Sequence, residues 1–329
     1  MTGLQTQYSF SLPIHRGKGG KAIVIAGPTG TGKSEIALLL AQKMGGEIIS
    51  ADSVQVYQGM DIGTAKPTLE ERLTIPHHMI DTHTLHETCN IIQFYHGCQK
   101  IIQEVTERGN VPIIVGGSGF YLRTLLYGPP HTPPACRPTR HLLQKEINLL
   151  GIEPAYRRLC LIDPQYAQTI SCRDHHKIMR GLEIAALRGK PLSSIAPPKN
   201  PSSSRLLHDF RCWYLYWPKE ILNARIEMRC DSMISQGLLR EVEKLKKEGL
   251  CEHPTASQAI GYQQALTFLE SERSPEEWEC FVHQFKQVSR RLAKRQRTWF
   301  RQESAYRRID LSKISPLDAL KMIIKHYNE

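Results

Sequence analysis

Ala22-Ile23-Val24-Ile25-Ala26-Gly27-Pro28-Thr29-Gly30-Thr31-Gly32-Lys33-Ser34 is the stretch that decides the fold. The first five residues read as a buried strand. Gly27 to Ser34 then spell GxxxxGK[ST], and the run from Glu35 to Met44 reads as a helix. Strand, glycine loop and helix in this order form the setting of a phosphate-binding loop. The glycines let backbone N–H groups turn inward around phosphate oxygens, and the helix adds its positive end. Lys33 supplies a point charge to the same oxygens. Ser34 is placed to hold a hydrated Mg2+ ion, the expected cofactor. A glycine-rich turn with no ligand matches this pattern by chance, but rarely with strand and helix both in place. The loop does not name the reaction, because phosphate can be transferred or can leave.

Working outward, short apolar strands alternate with helices. Glu47-Ile48-Ile49-Ser50-Ala51 reads as a second strand, ending in Asp52-Ser53. The apolar spacing over 91–107 predicts a helix. Val111-Pro112-Ile113-Ile114-Val115 follows as a strand that stops at Gly116-Gly117-Ser118-Gly119. This alternation predicts an α/β fold with a parallel sheet. Ligands on such sheets sit at the carboxyl ends of the strands. Gly27–Ser34, Asp52-Ser53 and Gly116–Gly119 are therefore expected to share one cleft.

The composition changes after Leu126. Gly128-Pro129-Pro130-His131-Thr132-Pro133-Pro134 reads as a stiff linker. Basic helical segments follow at 140–150, 154–161 and 172–187. A second break, Ala196 to Ser204, precedes the strand-like Phe210-Arg211-Cys212-Trp213-Tyr214-Leu215-Tyr216. Two proline-rich borders around a helical segment predict an insertion over 128–206. The α/β core then comprises 21–127 and 207–329, with residues 1–20 as a loose basic tail.

The whole chain has 329 residues, 40% of them hydrophobic and 23% charged, as expected of one elaborated globular domain or two. No apolar run approaches the roughly eighteen residues that span a bilayer. Nothing in residues 1–20 resembles a secretory h-region. Nine scattered cysteines with no CxxC pair point to reduced thiols and a cytoplasmic setting. The formal charge is +11, and it clusters. Lys286, Arg290, Arg291, Lys294, Arg295, Arg297 and Arg301 occupy helical rows without an intervening acid. Val288, Leu292, Trp299 and Phe300 give that helix an apolar side to bury. A solvated face usually mixes signs, so this one is expected to meet a phosphate backbone.

An acid after a later strand commonly helps a phosphate loop to hold magnesium, yet the strand 111–115 ends in two glycines. Asp52 is the acid at a neighbouring strand end. It reads either as an ordinary polar end that coordinates magnesium or caps a turn, or as a general base. The pair His77-His78 lacks a third ligand at metal-binding spacing. Asp81, Trp217 and Tyr262 read as structural on pattern alone.

Taken together, the motifs resemble the bacterial tRNA dimethylallyltransferases, also called tRNA isopentenyltransferases, over about residues 21–310. They are the loop Gly27 to Ser34; Asp52-Ser53-Val54-Gln55-Val56-Tyr57; Asp61-Ile62-Gly63-Thr64-Ala65-Lys66-Pro67; His77-His78-Met79-Ile80-Asp81; Val115-Gly116-Gly117-Ser118-Gly119-Phe120-Tyr121; Leu222-Asn223-Ala224-Arg225-Ile226-Glu227-Met228-Arg229; Ala259-Ile260-Gly261-Tyr262; and Ala293-Lys294-Arg295-Gln296 with Thr298-Trp299-Phe300.

The resemblance implies a P-loop NTPase-like core with a helical tRNA-binding insertion. It implies transfer of a dimethylallyl group from dimethylallyl diphosphate to N6 of adenosine 37 beside the anticodon. Diphosphate would be the leaving group, held by the loop, Lys33, magnesium on Ser34 and a clamp at Arg225. Asp52 would be the catalytic aspartate that orients and deprotonates N6, the base being flipped from its stack. Ser118 stands where the family commonly has Thr and keeps the hydroxyl.

The tRNA contacts implied are Asp52 with Ser53, Val54 and Gln55, then His176-Lys177-Ile178-Met179-Arg180, Gln258-Ala259-Ile260-Gly261-Tyr262-Gln263 and Arg140. Arg291 and Arg295 on the basic helix join them. His175-His176-Lys177 departs from the more usual family pattern at that place. The expected partners are a tRNA anticodon stem-loop, gripped from two sides, and dimethylallyl diphosphate, with a monomeric cytoplasmic enzyme and no membrane. The alternatives are an adenylate isopentenyltransferase acting on free nucleotide and a small-molecule P-loop kinase.

Overall fold

The computed structural model describes residues 21–130, 132–195 and 209–329. The basic tail 1–20, His131 of the first linker and the second break at 196–204 lie outside the described residues. The described residues form two compact units, 21–128 with 209–329, and 129–195.

The first unit begins with β1 (Ala22–Ala26), α1 (Lys33–Met44), β2 (Gly46–Ser50), α2 (Leu69–Thr74), β3 (His77–His78), α3 (Ile91–Glu107), β4 (Val111–Gly116) and α4 (Gly119–Tyr127). The second unit holds α5 (Arg137–Leu150), α6 (Ile152–Ile162), α7 (Pro164–Ala167) and α8 (His175–Arg188). The chain then returns to the first unit through β5 (Phe210–Tyr216), α9 (Lys219–Ser235), α10 (Leu238–Lys247), α11 (Tyr262–Leu269), α12 (Pro275–Phe300), β6 (Arg307–Asp310) and α13 (Pro316–Asn328).

The six strands run parallel in the order β3-β2-β4-β1-β5-β6. All five side chains of β1 are buried, as an apolar strand covered on both faces of a parallel sheet requires. Ile23 and Ile25 face a layer that includes Ile36 and Leu40 of α1 and Leu320 and Ile323 of α13. Ala22 and Val24 face Phe94 and Ile102 of α3, Leu122 and Leu125 of α4 and Phe300 of α12. Asn90 starts α3 with a capping box, its side chain accepting from Ile92 and Gln93 N–H. Ala26 pairs with Gly116 on one side and Tyr214 on the other, and Ser50 pairs with Val115. The strands therefore end level. The loops after β1, β2, β4 and β5 open on the same edge of the sheet.

A further apolar cluster joins α9 to α12, and here α12 departs from the sequence reading. Its buried row is Phe281, Phe285, Ser289 and Ala293, with Phe300 following in the last turn. Val288 and Leu292 are only half-buried, and Trp299 stays 38% exposed. Small residues make the seam because α9 comes close enough for Cys230 Sγ to lie 3.5 Å from Ser289 Oγ.

In the second unit Leu143, Ile147, Ala155, Leu159, Ile178 and Leu182 form a core of their own among α5, α6 and α8.

Candidate active site

The phosphate loop lies between β1 and α1. Gly32 precedes the first helical residue with a φ of 92°, a conformation that an L side chain resists. Thr31 Oγ1 donates to Pro28 O at 2.5 Å and Lys33 Nζ donates to the same oxygen at 2.8 Å. Side chains from elsewhere also hold the loop. Gln296 Oε1 accepts from Thr29 N–H at 2.9 Å, Arg225 Nε donates to Gly30 O at 2.9 Å, and Trp217 Nε1 donates to Thr31 O at 3.1 Å. The Arg225 guanidinium also stacks 5.2 Å above the Trp217 ring. Arg225 thus follows both the loop and the end of β5, with terminal nitrogens to spare for a ligand.

Lys33 is pushed down to about 7, first by burial and then by the charge of Arg229, with Asp52 acting in the opposite direction. Arg229 is itself lowered by burial, again opposed by Asp52. Lys33, Arg229 and Asp52 are thus within electrostatic reach of one another. An anionic ligand would favour the charged lysine. The sequence reading gave Arg229 no part. Its position one helical turn beyond Arg225 on α9 was the available signal.

Asp52 lies two residues beyond the end of β2. Its Oδ1 accepts from Val54 N–H at 2.8 Å and Gln55 N–H at 3.3 Å. Its Oδ2 has no hydrogen-bond partner among the described residues. The half-buried carboxylate is thereby fixed in direction and keeps one oxygen for a substrate. Ser53 and Val54 are half-buried beside it.

The Gln55 side chain is engaged within the protein. It accepts from Ser50 Oγ at 2.7 Å and donates to Thr64 O at 3.1 Å. The loop that it meets, Asp61 to Lys66, is held by a residue the sequence did not reveal. Glu241 of α10 accepts from Asp61, Ile62 and Gly63 N–H at 3.1, 2.7 and 3.2 Å and from Tyr262 Oη at 2.6 Å. Lys66 lies buried between Asp61 and Asp81, at 2.6 and 2.5 Å.

Ser118 caps α4 two residues beyond β4, and its hydroxyl has no partner among the described residues. Gly117 and Gly119 on either side give α12 its seat. A Cβ at Gly117 would lie 2.5 Å from Gln296 Nε2, and one at Gly119 would lie 2.1 Å from the Trp299 ring. Ser34 is exposed at the start of α1, its hydroxyl likewise without a partner. Among the described residues no group of three or more His, Cys, Asp or Glu could hold a metal by itself. One hydroxyl beside a phosphate site suits Mg2+, which takes few protein oxygens and keeps phosphate and water ligands. His77 and His78 bind Ile75 O and Glu47 instead, at 2.7 and 2.6 Å.

Several of the implied tRNA contacts fall on side chains with no exposed surface. Tyr262 and Ile178 are both 0% exposed, and Ala259 and Gly261 are buried. Tyr262 is committed to Glu241, and Ile178 to the core of the second unit. Gln258 and Gln263 are exposed and bonded to each other at 2.9 Å, and Ile260 is half-buried. On α8, His176 and Lys177 are exposed and Met179 is half-buried. Arg180 donates to Glu183 and Thr132, and Arg140 donates to the same glutamate at 3.1 Å.

The basic face of α12 is also divided. Lys286 pairs with Asp231 at 2.7 Å and Arg290 pairs with Glu227, both acids lying on α9. Arg291, Lys294 and Arg295 are exposed and make no ion pair among the described residues.

Comparison with known proteins identifies a family. The family described as IPP transferase matches residues 55–303. The tRNA dimethylallyltransferase of Protochlamydia amoebophila is 48% identical, the match covering 98% of this chain and 93% of the relative. That of Chlamydia pneumoniae is 42% identical over 93% of this chain and 89% of the relative. The crystal structure of the tRNA delta(2)-isopentenylpyrophosphate transferase of Staphylococcus epidermidis superposes with a TM-score of 0.68 at 34% identity, covering 94% of this chain and 99% of that one. A eukaryotic dimethylallyltransferase acting on tRNA superposes with a TM-score of 0.73 at 29% identity, over 92% and 78%. Extensive identity and a shared fold place this chain in the IPP transferase family.

Proposed function

We propose that this protein transfers a dimethylallyl group from dimethylallyl diphosphate to N6 of adenosine 37, next to the anticodon of tRNA, and releases diphosphate. The observation that carries this reading is the meeting, at one sheet edge, of a phosphate loop, the cations Lys33, Arg225 and Arg229, and the carboxylate of Asp52 at the neighbouring strand end. The relatives' names point the same way. Excess positive charge suits a leaving group on which negative charge builds. The Asp52 carboxylate, with one oxygen unpartnered among the described residues, suits a nucleophile that must lose a proton.

As the allylic C–O bond breaks, its electron pair leaves with the diphosphate. The loop amides 30–34, Lys33 and Arg225 receive that charge, with Ser118 Oγ available at the neighbouring strand end. Mg2+ held through Ser34 would add a further positive charge to the same oxygens. N6 of adenine is a weak nucleophile because its lone pair is delocalised into the ring. Asp52 Oδ2 accepts the N6 proton as the N–C bond forms, a contribution of about 10²–10⁴ in rate. The adenosine reaches such a recessed carboxylate by leaving its stack. Arg291, Lys294 and Arg295 on α12 offer exposed cationic groups to the phosphates of an anticodon stem-loop. Nine free cysteines fit a reducing cytoplasm, and one chain carries all the groups named, consistent with a monomer. Among the described residues no helix is long and apolar enough to cross a membrane.

Incubation with labelled dimethylallyl diphosphate and either unmodified tRNA, AMP or ATP tests the proposal. Label should enter tRNA alone, with one diphosphate released per prenyl group and no ATP consumed. Efficient labelling of AMP would replace the assignment with a free-nucleotide transferase, and ATP consumption coupled to product would replace it with a kinase.

A further inference from the structure

The phosphate loop is held from outside at three consecutive residues: Thr29 N–H by Gln296, Gly30 O by Arg225 and Thr31 O by Trp217. Trp217 follows β5, whereas Gln296 lies against Gly117 beyond β4, and β1 runs between these two strands. The loop is therefore fixed from both flanks of its own strand. On the β4 flank, Gln296 Oε1 holds the loop by accepting from Thr29 N–H.

We propose that Gln296 is a positioning residue for the diphosphate, setting from α12 the backbone of the loop that receives the leaving group. This rests on the reaction proposed above. The Thr29 amide lies ahead of amides 30–34, so holding it leaves the phosphate-facing donors free. Gln296 stands between Arg295 and Arg297. A neutral amide at that position contributes geometry where its neighbours contribute charge. It reaches the loop because Gly117 has no Cβ, and Trp299, one turn on, seats the same helix against Gly119. The helix that exposes Arg291, Lys294 and Arg295 thus also fixes the phosphate loop. A helix is stiff over two turns, so the place of the RNA backbone and that of the diphosphate are set by one element.

Gln296→Met keeps the length of the side chain and removes the acceptor. We expect KM for dimethylallyl diphosphate and Kd for inorganic diphosphate to rise roughly 5- to 15-fold, the effect of one lost hydrogen bond to a ligand-bearing loop. KM for an anticodon stem-loop should stay at its wild-type value, and the melting temperature should fall by no more than about 4 °C. Gly117→Ala displaces the Gln296 side chain, which its Cβ would meet at 2.5 Å against 3.2 Å for Gly27 O, and should shift diphosphate affinity in the same direction. The double variant should bind diphosphate no more weakly than either single one. Should Gln296→Met not fold, Gln296→Leu removes the same acceptor and carries the test. The inference is overturned if diphosphate affinity is unchanged, if stem-loop KM rises in parallel, or if the two substitutions add. The titration with inorganic diphosphate involves no prenyl chemistry. A weakened variant in an enzyme that does not prenylate tRNA would support the positioning role while refuting the reaction.

Discussion

The core cleft and the helical insertion both use arginine, in opposite ways. In the cleft Arg225 spends one nitrogen on Gly30 O and a ring face on Trp217, and Arg229 lies near Asp52 without pairing to it. Both keep donors for a ligand. In the insertion Arg140 and Arg180 converge on Glu183, whose side chain is 0% exposed. Glu183 also accepts from Cys136 N–H at 2.6 Å, and Arg180 donates to the Pro133 carbonyl. There the arginines stabilise a small fold that has little apolar core. Counting basic residues therefore overstates the charge available to RNA. What matters is which cations have already been claimed by an acid. The helix α12 shows both cases within three turns, with Lys286 and Arg290 paired to α9 and Arg291, Lys294 and Arg295 left over.

Four variants would break or sharpen this contrast. The largest effect should come from the cleft. Asp52→Ala should slow single-turnover transfer by about 10²–10⁴ while leaving diphosphate binding intact. A rate near wild type would remove Asp52 from the chemistry.

In the insertion, Glu183→Ala should destabilise the unit by about 2 kcal/mol. That is less than the usual cost of orphaning a buried ion pair, because the arginines are 26% and 44% exposed. Hydrogen exchange should quicken in α5, α6 and α8 and not in α1. Unchanged protection in those helices would show that Glu183 does not organise them.

Next, Arg291→Glu with Arg295→Glu should weaken stem-loop binding by about 10- to 30-fold and flatten its salt dependence by about 1.5 in log–log slope. The modified base should not change, since phosphate contacts position and base contacts specify. Smallest of all, Lys286→Ala should shift stem-loop affinity less than about twofold, because Asp231 already holds that charge. A loss comparable with that of the Arg291/Arg295 pair would mean that paired cations serve RNA as well as free ones.

The core was legible in the sequence because its signals are local. The apolar run 22–26, the GxxxxGK[ST] loop and the apolar spacing over 91–107 each fix an element from its own residues. Level strand ends follow from parallel pairing, so a cleft uniting Gly27–Ser34, Asp52 and Ser118 could be expected. The partners of those residues were not legible, because they lie far along the chain. Gln296 is 267 residues from Thr29, and Glu241 is about 180 from the loop that it caps. Gln296 was also masked by its surroundings, a neutral residue in a basic run. The buried row of α12 was misread because Ser289 and Ala293 carry no strong hydrophobic signal, although a close helix crossing requires small residues there. In the insertion, the resemblance marked a segment and could not tell an exposed Lys177 from a buried Ile178 next to it.

The central claim is that diphosphate leaves only as N6 of the adenine attacks. Its most direct test is single-turnover release of diphosphate with two anticodon stem-loops, one carrying adenosine at position 37 and one carrying purine riboside, which lacks the N6 amine. Stoichiometric release with adenosine and none above background with purine riboside is the predicted result. Equal release with both would mean that the cleft hydrolyses the diphosphate without a base nucleophile, and would contradict the account.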